Sequence, residues 1–154
     1  LELAVREVPR WEEILHTQAG RTQNPDRKAR FEFVMPALSA DPTVRERAFA
    51  RLSFVENRRR EQWVLESLQY LNHPLREVHA RRFVLPALGL LREVQRTGDI
   101  FFPTRWMDAT LSGHNSSEVA TIVQDFLASE LQYPQRLRWT ILTAADDLFR
   151  VTRR

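Results

Sequence analysis

The stretch Phe33-Val34-Met35-Pro36-Ala37-Leu38-Ser39 returns 50 residues later as Phe83-Val84-Leu85-Pro86-Ala87-Leu88-Gly89. Each copy follows a basic stretch, Arg27 to Arg30 in the first case and Arg76 to Arg82 in the second. Further back lies a proline suited to open a helix, Pro25 or Pro74, and beyond it a tryptophan, Trp11 or Trp63. Self-similarity at a period of roughly 20–50 residues is the mark of stacked supersecondary units. Such arrays generally present a surface that holds something and seldom carry chemistry.

The rest of the chain reads as helix. Seven helices are expected, at about 10–19, 26–39, 42–56, 61–72, 75–96, 117–131 and 135–151. A further short helix carries Trp106, Met107 and Leu111. Asp41-Pro42 opens the third helix, Thr97-Gly98 closes the fifth, and Ser116-Ser117-Glu118 starts the sixth. Pro36 and Pro86 fall inside helices, where each removes a backbone donor and a kink is expected. Trp63 and Trp139 sit on apolar helix faces and are expected between helices. No segment alternates in the manner of a strand. The fold class expected is all-α: an α-superhelix of stacked antiparallel helix pairs, HEAT- or ARM-like, as one domain over 1–154.

Composition narrows the function. The chain has no cysteine, which excludes disulfides, thiolate metal sites and a cysteine nucleophile. No apolar run approaches the roughly 18 residues of a membrane span, so no membrane partner is expected. The net charge is only +3, although 22 of the 23 basic residues are arginine and Lys28 stands alone. So small an excess argues against a nucleic-acid partner. Arginine stays charged and forks to carboxylates and phosphates, but such a bias also follows from a GC-rich genome. A start at Leu1 inside a helical-looking stretch leads us to expect a fragment of a longer protein.

Candidate chemistry is sparse. His16, His73, His79 and His114 include no pair at the four-residue spacing that puts two ligands on one helix face. Glu12-Glu13 and Asp146-Asp147 are adjacent, so each pair diverges by about 100° on a helix and forms no dyad; Asp146 is expected to pair with Arg150. Ser112-Gly113-His114 lacks the strand-turn-helix frame of an esterase elbow. Arg58-Arg59-Arg60 and Arg81-Arg82 stand out. Two readings are open for them: solvated helix ends and faces, or a surface for anion recognition or interdomain salt bridges.

Residues 57–111 resemble the C-terminal helical domain of M1-family zinc aminopeptidases. The residues that carry the resemblance are Asn57-Arg58-Arg59-Arg60-Glu61-Gln62-Trp63-Val64, Leu71-Asn72-His73-Pro74-Leu75-Arg76, and Thr97-Gly98-Asp99-Ile100-Phe101-Phe102-Pro103 with Trp106. The tail, from Tyr133-Pro134 through Leu137, Ile141-Leu142 and Ala145-Asp146 to Leu148-Phe149-Arg150, is also similar to the end of such chains. The resemblance implies a HEAT-like superhelix that packs on a catalytic domain and roofs its peptide cavity. It implies zinc in that missing domain and none here. The family's HExxH motif, downstream Glu ligand, GxMEN loop and catalytic Tyr match no position of this chain. No catalytic, cofactor-binding or metal residue is therefore expected in this piece, and alone it should be inert.

The first expectation is thus a non-catalytic domain whose partners are its own upstream catalytic domain and a peptide substrate. Arg58, Arg59 and Arg105 are the candidate cavity or interdomain anion contacts. In such an enzyme Arg105 would meet a peptide carboxylate; the plainer alternative pairs it with Asp108 or water. Phe101 or Phe102 should plug the groove between the long fifth helix and the helix of Trp106. The alternatives are a free-standing HEAT-type protein-binding module and a HEAT-fold nucleic-acid-binding protein.

Overall fold

The computed structural model describes residues 1–153. Among these the chain is all-α, with ten α-helices, two short 3₁₀ turns and no strand. The helices are α1 (Glu2–Val5), α2 (Trp11–Arg21), α3 (Pro25–Leu38), α4 (Pro42–Arg51), α5 (Glu61–Leu71), α6 (Glu77–Thr97), α7 (Phe102–Leu111), α8 (Ser117–Ser129), α9 (Gln135–Ala144) and α10 (Asp146–Thr152). Their contacts cluster into two compact units, one from Leu1 to Leu71 and one from Asn72 onward.

Each unit holds one copy of the near-repeat. In the first it lies on α3, in the second on α6. Val34, Ala37 and Leu38 are fully buried, and so are their counterparts Val84, Ala87 and Leu88. The three positions share one face of a 3.6-residue helix. Pro36 and Pro86 fall outside that buried set, half-buried and exposed respectively, and both helices run through them. A proline there leaves the carbonyl four residues back without its helical donor, which is least costly away from the core.

In the first unit α3 packs against α4 and α5. Val34 and Leu38 join Ala4, Val5 and Leu15 in a small core, flanked by Trp11, Met35 and Tyr70. Phe33 and Trp63 meet at 5.8 Å between ring centroids, and Trp63 is half-buried as expected from its helix face. Arg30 forks onto Glu66, with Nε 2.7 Å from Oε2 and the second nitrogen on Oε1. Asn24 caps α3 by accepting from Asp26 N at 2.9 Å, and Asp41 caps α4 by accepting from Thr43 N at 2.8 Å.

In the second unit α6 is the spine. It packs on α7 and α8, while α7 packs on α9. Trp106 is fully buried, donates from Nε1 to Ala87 O at 3.0 Å and meets Phe102 edge to face. Of the two phenylalanines, Phe102 is the plug at 1% exposure, while Phe101 is 62% exposed. Gly98 caps the C-terminus of α6, and Ser116 caps α8 by accepting from Val119 N.

The helices are more numerous than the seven and the further short one expected: α7 is that short helix, and α1 has no counterpart among those expected. The segment 42–56 ends as α4 at Arg51, and Val55–Arg58 forms a 3₁₀ turn. The segment 135–151 divides at Ala145 into α9 and α10. Trp139 corrects another expectation. It is 61% exposed, because the buried stripe of α9 and α10 runs through Leu137, Ile141, Ala145 and Leu148. Trp139 lies two residues, about 200°, around from Leu137.

Candidate functional site

Arginine does much of its work at helix ends. The last carbonyls of a helix have no intrahelical donor. Arg45 Nη1 donates to Ser39 O at 2.7 Å and Ala40 O at 3.0 Å, just beyond α3. Arg58 Nη1 donates to Leu52 O at 2.6 Å, at the end of α4. Arg138 spans Leu127 O at 3.1 Å and Glu130 O at 2.9 Å, at the end of α8. A cation at a helix C-terminus also suits the negative end of its dipole.

This decides how the three candidate arginines are placed. Arg58 is buried and committed to the Leu52 carbonyl. Arg59 is exposed at the start of the turn into α5. Arg105 is exposed on the first turns of α7, with its guanidinium 5.8 Å from the Phe101 ring centroid and not on Asp108. Arg58 and Arg59 are chain neighbours with opposite burial, so they do not act as one patch. Arg81 faces Glu118 at 3.4 Å, and Asp146 pairs with Arg150 at 2.5 Å, as the four-residue spacing predicts.

A buried polar cluster lies elsewhere, where the turn after α7 meets the turn before α6. His73 Nδ1 accepts from Leu75 N at 3.2 Å and so starts the 3₁₀ turn Pro74–Arg76. His114 is buried, with Nε2 2.9 Å from Asn72 Oδ1, and Asn72 is itself buried. On its other side, His114 Nδ1 stands 4.0 Å from Glu77 Oε1. Burial holds the imidazole neutral and pushes its pKa down to about 4; the Glu77 carboxylate opposes that shift and Arg81 adds to it. Gly113 permits the approach, because a β-carbon there would stand 1.7 Å from Asn72 O.

A groove of about 410 Å³ opens beside this cluster, lined by Asp108, Ser112, Asn115, Thr143 and Asp147 over Leu111 and Leu148. Burial raises the Asp108 carboxyl above the usual carboxylate range. The groove offers hydroxyls and carboxylates but no activated nucleophile. The ring nitrogens of His114 face Asn72 and Glu77, so the imidazole is held as a structural hydrogen-bonding group. Among the described residues no group of three or more His, Asp or Glu side chains is arranged to hold a metal ion. No described helix is long and apolar enough to cross a membrane.

Sequence reasoning marked Asn72-His73-Pro74 as a helix end and Gly113-His114 as a turn, but did not bring them together. The available signal was a glycine beside a histidine in one turn and an amide in the other. The chain matches no protein-family model, and neither a curated protein nor a solved structure is significantly similar to it.

Proposed function

We propose that the chain is the non-catalytic helical domain of a zinc-dependent aminopeptidase of the M1 kind, packing on a catalytic domain and bounding its peptide cavity. What supports the reading is where the resembling residues lie. Asn72, Phe102, Pro103 and Trp106 are all buried, and His73 and Gly98 cap helices. These residues, the part of the resembling set from Asn72 onward that is buried or capping, sit at helix junctions of the second unit, whereas Asn57 to Leu71 belong to the first and Leu75, Ile100 and Phe101 are exposed. The stacked, HEAT-like arrangement of helix pairs belongs to the same proposal.

The donor set here does not fit the family's zinc, so the metal would be held wholly by the catalytic domain. No catalytic step is assigned to these residues. Arg59 and Arg105, both exposed, remain the side chains available for an anionic group across the cavity. The test is the reading frame upstream of Leu1, expressed whole. We expect an HExxH motif with a downstream Glu, and release of N-terminal residues from aminoacyl-coumarin substrates that a chelator stops and zinc restores. A frame without that motif overturns the reading.

A further inference from the structure

The two copies of the repeat differ on the side that faces away from their cores. On α3 the first two positions of one helical line, Lys28 and Glu32, are exposed and charged, while Met35 packs against the core and Ser39 is the half-buried residue that ends the helix. The same positions on α6 are Val78, Arg82, Leu85 and Gly89. Val78 is 78% exposed and Leu85 54% exposed. Their spacing of four, three and four keeps them on one helical line, and Arg92 and Arg96 extend it, both exposed. A β-carbon at Gly89 would meet nothing within 4 Å, so the backbone is open to close approach there.

We infer that this line on α6 is a docking surface for a helix of another protein, one that carries leucine-sized side chains alternating with carboxylates. Charge fixes the partner's chemistry. The six positions of the line hold three arginines and no acidic residue. Arg92 is partly answered within the chain by Glu130 at 3.2 Å and by the Tyr133 ring, and Arg82 Nε donates to His79 O at 3.1 Å, contacts that hold the two guanidinium groups in place on the line, whereas Arg96 lies at its far end. A second copy of the same face would bring arginine to arginine or to leucine, so self-association does not satisfy it. Apolar side chains between the charges suit a packed helix better than a phosphate backbone, which would be met by bases or sugars and not by Val78 and Leu85. The inference does not depend on the aminopeptidase reading, and its test needs no catalytic domain.

The probe is a fluorescently labelled synthetic amphipathic helix with leucine at a and d and glutamate at e and g, its binding to the full chain followed by anisotropy. A peptide with lysine at e and g serves as the comparison. We expect saturable binding of the glutamate peptide and at least tenfold weaker binding of the lysine peptide. Leu85→Glu should weaken the glutamate peptide at least tenfold while leaving Tm within about two degrees, since the residue is exposed. Arg82→Glu should invert the preference between the two peptides. Equal binding to wild type and Leu85→Glu, no binding of either peptide, or a dimer in sedimentation that Leu85→Glu dissolves would each overturn the inference.

Discussion

The carbonyl oxygen of Asn72 stands where a β-carbon on residue 113 would have to be, 1.7 Å from its ideal position. The two turns are pressed backbone to backbone, and Pro74 closes the same space from the side. Gly113→Ala must therefore push the turn after α7 off the turn before α6, and the His114 to Asn72 hydrogen bond with it. Overpacking of this kind costs about 1–3 kcal/mol. Urea unfolding of the variant should show that loss with a concurrent change in the His114 ring resonances. An alanine variant as stable as the parent would mean that the turns are not in contact.

His114 makes stability sensitive to acid. Its folded pKa lies near 4, below the ordinary value of 6.5. A depressed histidine binds its proton in the unfolded chain first, so stability is full above pH 6.5 and declines as the pH falls toward 4. The shift corresponds to about 3 kcal/mol. Urea midpoints of wild type and His114→Gln, compared from pH 7.5 to 4, should converge as the pH falls. Parallel curves would remove His114 as the cause.

Trp106 and Trp139 should behave as opposites. Trp106 is fully buried and hydrogen-bonded, and its truncation to alanine should cost about 3–5 kcal/mol. Trp139 is mostly exposed, so Trp139→Ala should stay within about 0.5 kcal/mol of the parent. Thermal melts of the two variants side by side decide the matter, and intrinsic fluorescence should lose a blue-shifted emitter only in the first.

Arg138 reaches two carbonyls at once. Lysine keeps the charge but cannot fork to both. Arg138→Lys should lose about 1 kcal/mol and Arg138→Ala somewhat more. Amide exchange should accelerate in the last turn of α8 before anywhere else. Uniform acceleration would point to a general loss of packing.

What was legible in the sequence was what depends on spacing along the chain. The buried triplets Val34, Ala37, Leu38 and Val84, Ala87, Leu88 follow from helical period, and Asp41, Gly98 and Ser116 cap the helices they were expected to cap. Trp139 was misread because an aromatic residue was weighted above its angular position; the period alone puts it opposite Leu137. The break at Ala145 left a weak signal, since alanine continues a helix freely, while Asp146-Asp147 is less suited to a helix interior and fits the first turn of a new helix. The meeting of His114 with Asn72 depends on residues 42 positions apart, and periodicity carries no information at that range. The arginine clusters looked like one feature, but burial separated Arg58 from Arg59, and that separation comes from packing.

The arginine clamps have a direction. Arg45 lies on α4 and closes α3; Arg58 follows α4 and closes it; Arg138 lies on α9 and closes α8. Each helix end is thus completed by a residue that comes later in the chain. During synthesis from the N-terminus, a newly formed helix keeps open carbonyls until the next element has emerged and turned back. Chains cut after Arg51 or after Glu130 should accordingly end in a frayed turn even though every residue of the preceding helix is present. The unit that must be kept whole is a helix together with the later arginine that clamps its end, and boundaries drawn at helix ends would divide that unit.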